Sequence, residues 1–328
     1  MSPGALSELP SLLDQYSRIF FIVGRRTREI LDAHAPGLVS GDNSFVADSA
    51  TLSVAEQAVS AAKRLGADCV VGVGGGKNID IAKFVGARLG IPVVSVPTVP
   101  SHDGIASPMV SLGGTSHPYS EYVGPPELVV VDTQVLSEAP LRFFQSGFGD
   151  VIGKYTSVYD WWLAHIDTGE YFGHYSAALA RMTFRHVVRF RRAIASRTEE
   201  GVNVLLEALV TNGLVMGIQH SSRPASGSEH LISHALDYLR GSKGPHGLQV
   251  GLGTIVAAYL QGRDWERIRR YLEDVGAPTT AEALGIPEDM MVMALVIAPT
   301  LRKRYTIFNR VKMTEDLARS VLKTVEVI

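Results

Sequence analysis

Short, continuous apolar runs alternate with amphipathic stretches through the first 140 residues. Ile19-Phe20-Phe21-Ile22-Val23 reads as a buried strand that Gly24 turns into a helix over 27–34. Gly37-Leu38-Val39-Ser40 is the expected second strand. Ala55, Val59, Ala62 and Leu65 recur at helical spacing. Cys69–Val73 is a buried strand, followed by glycines and a helix from Lys77 to about Leu89. Pro92–Pro97 and Leu128–Asp132 are further strands. This strand–helix rhythm predicts a parallel sheet wrapped by helices. Met109–Val123 interrupts it, and Gly113-Gly114 suggests a hairpin excursion there. Beyond Pro140 the β-branched clusters thin out. Helical periods then predict helices over 150–165, 170–194, 201–220, 229–239, 247–260, 264–275, 289–298 and 314–324. The expectation is an α/β domain over 1–140 and an all-helical domain over 141–328, with no internal repeat.

Composition narrows the class. The chain has 328 residues, 46% hydrophobic and 20% charged, which suits globular domains with real cores. Its formal net charge of −2 gives no overall attraction to nucleic acid, so an anionic ligand has to be bound locally. The single cysteine, Cys69, rules out a disulfide within the chain and points to a reducing compartment. The first 16 residues show no targeting segment. Met290–Ala298 is too short an apolar run to cross a bilayer. A cytoplasmic protein without membrane insertion is expected, and a homo-oligomer is the default assembly.

Chemistry enters with three residues, Asp150, His230 and His246. One carboxylate and two imidazoles make a three-ligand site for a divalent metal with a position left open for a substrate oxygen. His234 lies one helical turn after His230, on the same face, as a residue to bond substrate or relay a proton. The alternatives are ordinary: a His-x-x-x-His pair on a helix occurs by chance, His246 can open a helix, and Asp150 can cap one. His165, His174, His186 and His220 take no role.

Upstream, Gly74-Gly75-Gly76 between a strand and a helix from Lys77 suits a phosphate. Glycines permit close approach, and the free amides of the helix point at the anion. An ordinary tight turn is the other reading, since the run is neither G-x-G-x-x-G nor a Walker A loop. Pro97–Pro108 follows the neighbouring strand at its carboxyl end, where parallel sheets bind ligands. Thr98, Ser101 and Ser107 offer hydroxyls there and Asp103 a carboxylate. Asp42, after the expected second strand, would repel a 2′-phosphate. Arg181, Arg185, Arg189 and Arg192 form a basic stripe at helical spacing. It reads as solvated or subunit-facing, with anion binding as the alternative.

These segments resemble the sn-glycerol-1-phosphate dehydrogenases, in the superfamily of iron-dependent alcohol dehydrogenases, glycerol dehydrogenases and dehydroquinate synthases. The resemblance rests on Gly72–Asp80, Val96–Pro108, Gly149–Thr156, Ser226–Asp237, His246–Gly251 and Arg304–Ile307. It implies a dehydroquinate synthase-like fold. It also implies that Asp150, His230 and His246 hold Zn2+, or another divalent metal such as Ni2+ or Fe2+. NAD(H) or NADP(H) would meet Gly74, Gly75, Gly76, Lys77, Asn78, Ile79 and Asp80, together with Thr98, Val99, Pro100, Ser101 and Ser107. Asp103, Asp150 and His234 would face the substrate. The implied reaction is reduction of dihydroxyacetone phosphate to sn-glycerol 1-phosphate, a step toward phospholipids. A dehydrogenase for another polyol or polyol phosphate, or a sugar-phosphate cyclase, is the alternative on the same scaffold. Two positions depart from the family: Leu248, where members commonly carry glutamate, and Asn78, which is usually aliphatic. The first bears on substrate more than on metal. Arg223, Lys303 and Arg304 are candidates to hold a substrate phosphate.

Overall fold

The structure, a computed structural model, describes residues 1–114, 119–241 and 244–328. The chain forms two compact units. The first comprises Met1–Pro100 with Gly104–Pro140, the second Ser101–Asp103 with Leu141–Ile328.

In chain order the first unit contains α1 (Leu9–Leu12), β1 (Ile19–Val23), α2 (Arg25–His34), β2 (Ser44–Val46), α3 (Leu52–Leu65), β3 (Cys69–Gly74) and α4 (Gly76–Leu89). It continues with β4 (Val93–Pro97), β5 (Met109–Leu112), β6 (Tyr119–Tyr122), β7 (Leu128–Val129) and α5 (Thr133–Ser137). Five strands form one parallel sheet in the order β2-β1-β3-β4-β7. Alternate residues of each strand point to opposite faces. Phe21, Val71 and Val94 therefore pack against Leu6, Leu9 and Leu31, while Phe20, Ile22 and Val70 pack against Ala55, Ala58 and Phe84. Both faces are covered, which is why these strands read as unbroken apolar runs. Cys69 belongs to this core, and burial pushes its thiol pKa up to about 12, so it acts as a small hydrophobe.

β5 and β6 pair antiparallel as the expected hairpin; residues 115–118 of that excursion lie outside the described residues. The second strand is not Gly37–Ser40. Gly37 turns at φ 77°, and Ser40 is held in a turn by Asn43, whose Oδ1 accepts the Ser40 amide at 2.7 Å; the strand that pairs with β1 is Ser44–Val46. Asp42 thus precedes that strand, and the argument drawn from it against a 2′-phosphate falls.

The second unit is helical: α6 (Leu141–Ile152), α7 (Lys154–Thr168), α8 (His174–Arg189), α9 (Arg191–Ala195), α10 (Glu199–Gln219), α11 (Ser228–Arg240), α12 (His246–Leu260), α13 (Trp265–Asp274), α14 (Glu288–Ile297) and α15 (Glu315–Thr324). Two expected helices are divided. The one expected over 150–165 is the end of α6 and most of α7. Gly153 keeps helical dihedrals, φ −53° and ψ −23°, so the periodicity runs through the junction. The one over 170–194 begins at His174 and breaks at Phe190. α10 is long and apolar enough to cross a membrane by length and composition, yet 56% of its most apolar stretch is buried against its neighbours. α12 packs closely on both α6 and α11, and these three helices build the site.

Candidate metal and cofactor sites

Close backbone approach sets the geometry of the second unit. A Cβ on Gly247 would lie 2.6 Å from the Ser146 carbonyl carbon, and one on Gly149 would lie 3.1 Å from the Gly247 carbonyl carbon. Only glycines let α6 and the first turn of α12 come this near. The crossing brings Asp150, in the last turn of α6, to His246 at the start of α12. α11 begins after Gly227, where a Cβ would sit 2.6 Å from an Asp160 oxygen, and presents His230 in its first turn.

The three side chains converge. Their ligand atoms lie within 4.8 Å of one another. Asp150 Oδ1 is 3.5 Å from His230 Nε2 and 3.9 Å from His246 Nε2. Ligands around a tetrahedral zinc are separated by about 3.3–3.5 Å, given bonds of about 2.0–2.1 Å. Asp150 is fully buried, and Oδ1 has no hydrogen-bond donor among the described residues. A buried carboxylate oxygen without a donor, faced by two imidazole nitrogens, fits a divalent cation. Its other oxygen is committed, accepting the Asp103 amide at 2.9 Å and lying 3.5 Å from Lys154 Nζ.

Two further charges surround the triad, and local sequence reading assigned neither. Lys154 has no exposed side-chain surface. Its ammonium pairs with Asp103 Oδ2 at 2.9 Å and donates to the Ala225 carbonyl at 3.1 Å. Glu229, also fully buried, accepts from the Gly227 amide at 2.6 Å and from Thr156 Oγ1 at 2.7 Å, and sits 2.8 Å from His230 Nδ1. With Nδ1 held by a carboxylate, Nε2 keeps its lone pair for a metal. Burial pushes the Glu229 carboxyl upward, but its bond to His230, His230's charge and the other donors outweigh that and hold it below the usual range. Asp150 likewise lies well below: burial opposes ionisation, and Lys154 and His230 overcome it. Burial and the neighbouring Asp150 charge raise Asp103. The available signals were a lysine four residues after the aspartate and an acid directly before the histidine; neither spacing is informative until the helices are packed.

His234 lies beside the triad, its ring centroid 6.5 Å from that of His230 and 6.4 Å from that of His246. His102, which had no assigned role, meets the His246 ring edge-on at 5.6 Å. Ser101 falls in this unit, its carbonyl accepting from Ser146 Oγ at 2.9 Å.

The first unit carries the glycine loop at its topological switch point. Strand order reverses between β1 and β3; Gly24 directly follows β1 and Gly74 ends β3. Gly74 has φ 140°, and a Cβ there would meet Asn78 Nδ2 at 2.5 Å. α4 starts at Gly76 with Gly75 as its cap, so the amides of Gly76 and Lys77 open the helix without intrahelical acceptors. Asn78 Nδ2 bonds the Val73 carbonyl at 2.6 Å, giving this departure from the family a structural use. Lys77 Nζ is taken by the Ala47 carbonyl at 2.6 Å, and Ile79 is fully buried. Asp80 pairs with Lys83 at 2.8 Å and accepts the Ser111 amide at 3.1 Å. Lys83 also donates to the carbonyls of Gly104 and Ser107, anchoring the loop that follows β4. Thr98 bonds Gly74 through its amide at 3.1 Å, and Val99 lies against Gly75; Pro100 ends this stretch of the unit.

The profile of the iron-containing alcohol dehydrogenases matches residues 1–140. The chain is 48% identical over 280 residues to a glycerol-1-phosphate dehydrogenase (NAD(P)+) of Aeropyrum pernix, covering 85% of this chain and 80% of the relative. It is 40% identical over 333 residues to the like-named enzyme of Hyperthermus butylicus, covering 99% and 95%. Among solved structures, a probable glycerol dehydrogenase from Sinorhizobium meliloti 1021 matches with a TM-score of 0.83 at 23% identity, covering 99% of this chain and 95% of that one. At such identity the likeness speaks for the fold.

Proposed function

We propose a function from this premise: the chain belongs to the glycerol-1-phosphate dehydrogenase family. It reduces dihydroxyacetone phosphate to sn-glycerol 1-phosphate, reversibly, with NADH or NADPH and a divalent metal. The observation that carries this reading is the Asp150–His230–His246 cluster around a carboxylate oxygen without a donor, in a chain whose relatives bear that enzyme's name.

When bound, the metal supplies a Lewis acid for the substrate carbonyl and the nicotinamide supplies the hydride. Asp150, His230 and His246 would hold the metal. Glu229 orients His230, and Lys154 balances the carboxylates of Asp103 and Asp150. His234 would deliver the proton to the substrate oxygen, and the Asp103 carboxylate would accept a substrate hydroxyl. The loop of Gly74, Gly75, Gly76, Lys77, Asn78, Ile79 and Asp80 would meet the dinucleotide phosphates through its backbone amides. Thr98, Val99, Pro100, Ser101 and Ser107 complete the cofactor contacts. A cytoplasmic place, a role in phospholipid synthesis and a homo-oligomeric state belong to the same reading.

The test follows nicotinamide absorbance with dihydroxyacetone phosphate, with and without added zinc. Metal-dependent oxidation of one NAD(P)H per product, with sn-glycerol 1-phosphate rather than the 3-phosphate formed, is expected. Phosphate release with retained cofactor would replace this reading with a cyclase.

A further inference from the structure

The helical unit holds a recess of about 350 Å3 between α7, α8 and the turn after α12. Arg181 and Arg185, one helical turn apart on α8, line it together with Arg263. Among the described residues, no carboxylate lies within ion-pair distance of these three. Arginines elsewhere in the unit do find one, as in Arg191–Asp274, Arg223–Glu170 and Arg310–Asp167. Three unbalanced cations around one concavity repel each other, and that repulsion is relieved by an anion between them.

The recess is also rigid. The Arg263 guanidinium lies 3.5 Å from the centre of the Tyr155 ring and 5.1 Å from that of Tyr159. It also donates to the Tyr155 carbonyl. Tyr155 stacks on Phe184 with centroids 5.2 Å apart. Burial, with the Arg181 charge adding to it, holds the Arg263 pKa below its ordinary value. The remaining wall is formed by Val158, Phe184 and Tyr159, with Lys154, whose ammonium is already paired with Asp103 and Asp150, at its inner end. Both faces of Tyr155 are already covered, by Arg263 and Phe184. No histidine, cysteine or carboxylate lines the recess, so it offers binding rather than chemistry.

We propose that this recess binds a small phosphorylated organic molecule at a site that contains none of the metal ligands, with the phosphate on Arg181, Arg185 and Arg263 and the organic part against Val158 and Phe184. A dianion with three acceptor oxygens matches three guanidiniums better than a carboxylate does. The volume is at the low end for small-molecule sites and larger than a bare phosphate requires. Of the basic stripe, Arg181 and Arg185 face the recess, while Arg189 and Arg192 do not line it.

The experiment titrates phenyl phosphate into the zinc-loaded full-length protein by calorimetry, beside the Arg181→Ala/Arg185→Ala variant. Sodium benzoate and inorganic phosphate serve as reference ligands. Phenyl phosphate is expected to bind wild type at least tenfold more tightly than either reference ligand and at least tenfold more tightly than it binds the variant. The variant's kcat and KM for dihydroxyacetone phosphate are expected to be unchanged. Equal phenyl phosphate affinity in the two proteins overturns the proposal. So does a variant that changes oligomeric state in light scattering, which would make the recess a subunit contact. The binding comparison stands whatever substrate the metal centre takes.

Discussion

Gly247→Ala sets two effects of opposite sign against each other. By helix propensity alone, replacing glycine with alanine inside a helix stabilises by about 0.5–1 kcal/mol. Gly247 lies in the first turn of α12, and the added methyl would sit 2.6 Å from the Ser146 carbonyl carbon, with the carbonyl oxygen nearer still. Non-bonded carbons rest at about 3.5 Å or more, so α6 and α12 must part by about 1 Å. The obstacle is backbone, which cannot rotate away as a side-chain tip would. Overpacking of this kind costs about 1–3 kcal/mol and outweighs the propensity gain. Asp150 and His246 separate by a similar distance, whereas metal sites hold their ligands to about 0.2 Å. The expected outcome is a melting temperature lower by several °C in metal-free protein and a loss of at least tenfold in zinc affinity, read by competition with a chelator. Gly251→Ala on the same helix is the comparison. Its neighbours are a Leu272 methyl at 3.1 Å, which can move, and Gly149 Cα at 3.3 Å, a far milder approach to α6, so its effect is expected to be smaller. Unchanged zinc affinity together with an equal or higher melting temperature in Gly247→Ala would refute the idea that glycine contact between these helices sets the ligand geometry.

Glu229→Gln is near-isosteric and leaves His230 Nδ1 without its carboxylate; zinc affinity is expected to fall by about 10–100-fold with the fold intact by circular dichroism. Lys154→Met leaves two buried carboxylates uncompensated, so the metal-free protein should lose about 3–5 kcal/mol of stability. Zinc should then raise the variant's melting temperature more than it raises that of wild type, and an equal rise in both counts against the assignment. Gly74→Ala places a side chain at φ 140° and against Asn78 Nδ2; a higher KM for NAD(P)H together with a lower melting temperature is expected. Asp160 gives a pH signature. Burial and the Glu229 charge raise its pKa from 3.8 to about 6, against the amide bonds it accepts. Between those values the folded state holds a proton that the unfolded state has lost, so stability falls as pH rises through that window. The penalty approaches roughly 3 kcal/mol above the folded pKa. The difference in denaturant stability between wild type and Asp160→Asn across pH 4–7 isolates this slope, and a flat difference contradicts it.

Much of the molecule was legible in local pattern. The apolar runs of β1, β3 and β4 are unbroken because the sheet is covered on both faces, and that alone marked a parallel sheet. His230 and His234 fall on one helix, and a glycine run opens α4, as spacing indicates. Errors came where local pattern carries no information. Gly37–Ser40 looks like a strand and is a turn, because pairing with β1 is available to only one nearby segment, Ser44–Val46. The period continues through Gly153, so Asp150 was placed at the start of a helix when it ends one. Spacing gives Lys154 and Glu229 no role, and packing buried both completely. Periodicity reports which residues share a face of one element. It does not report which faces meet, and the pKa of a carboxylate or the reach of an imidazole depends on groups tens of residues away. The residue types able to bind a cation and a nucleotide were thus written along the chain, while the positions of their atoms were decided by helices crossing at glycines.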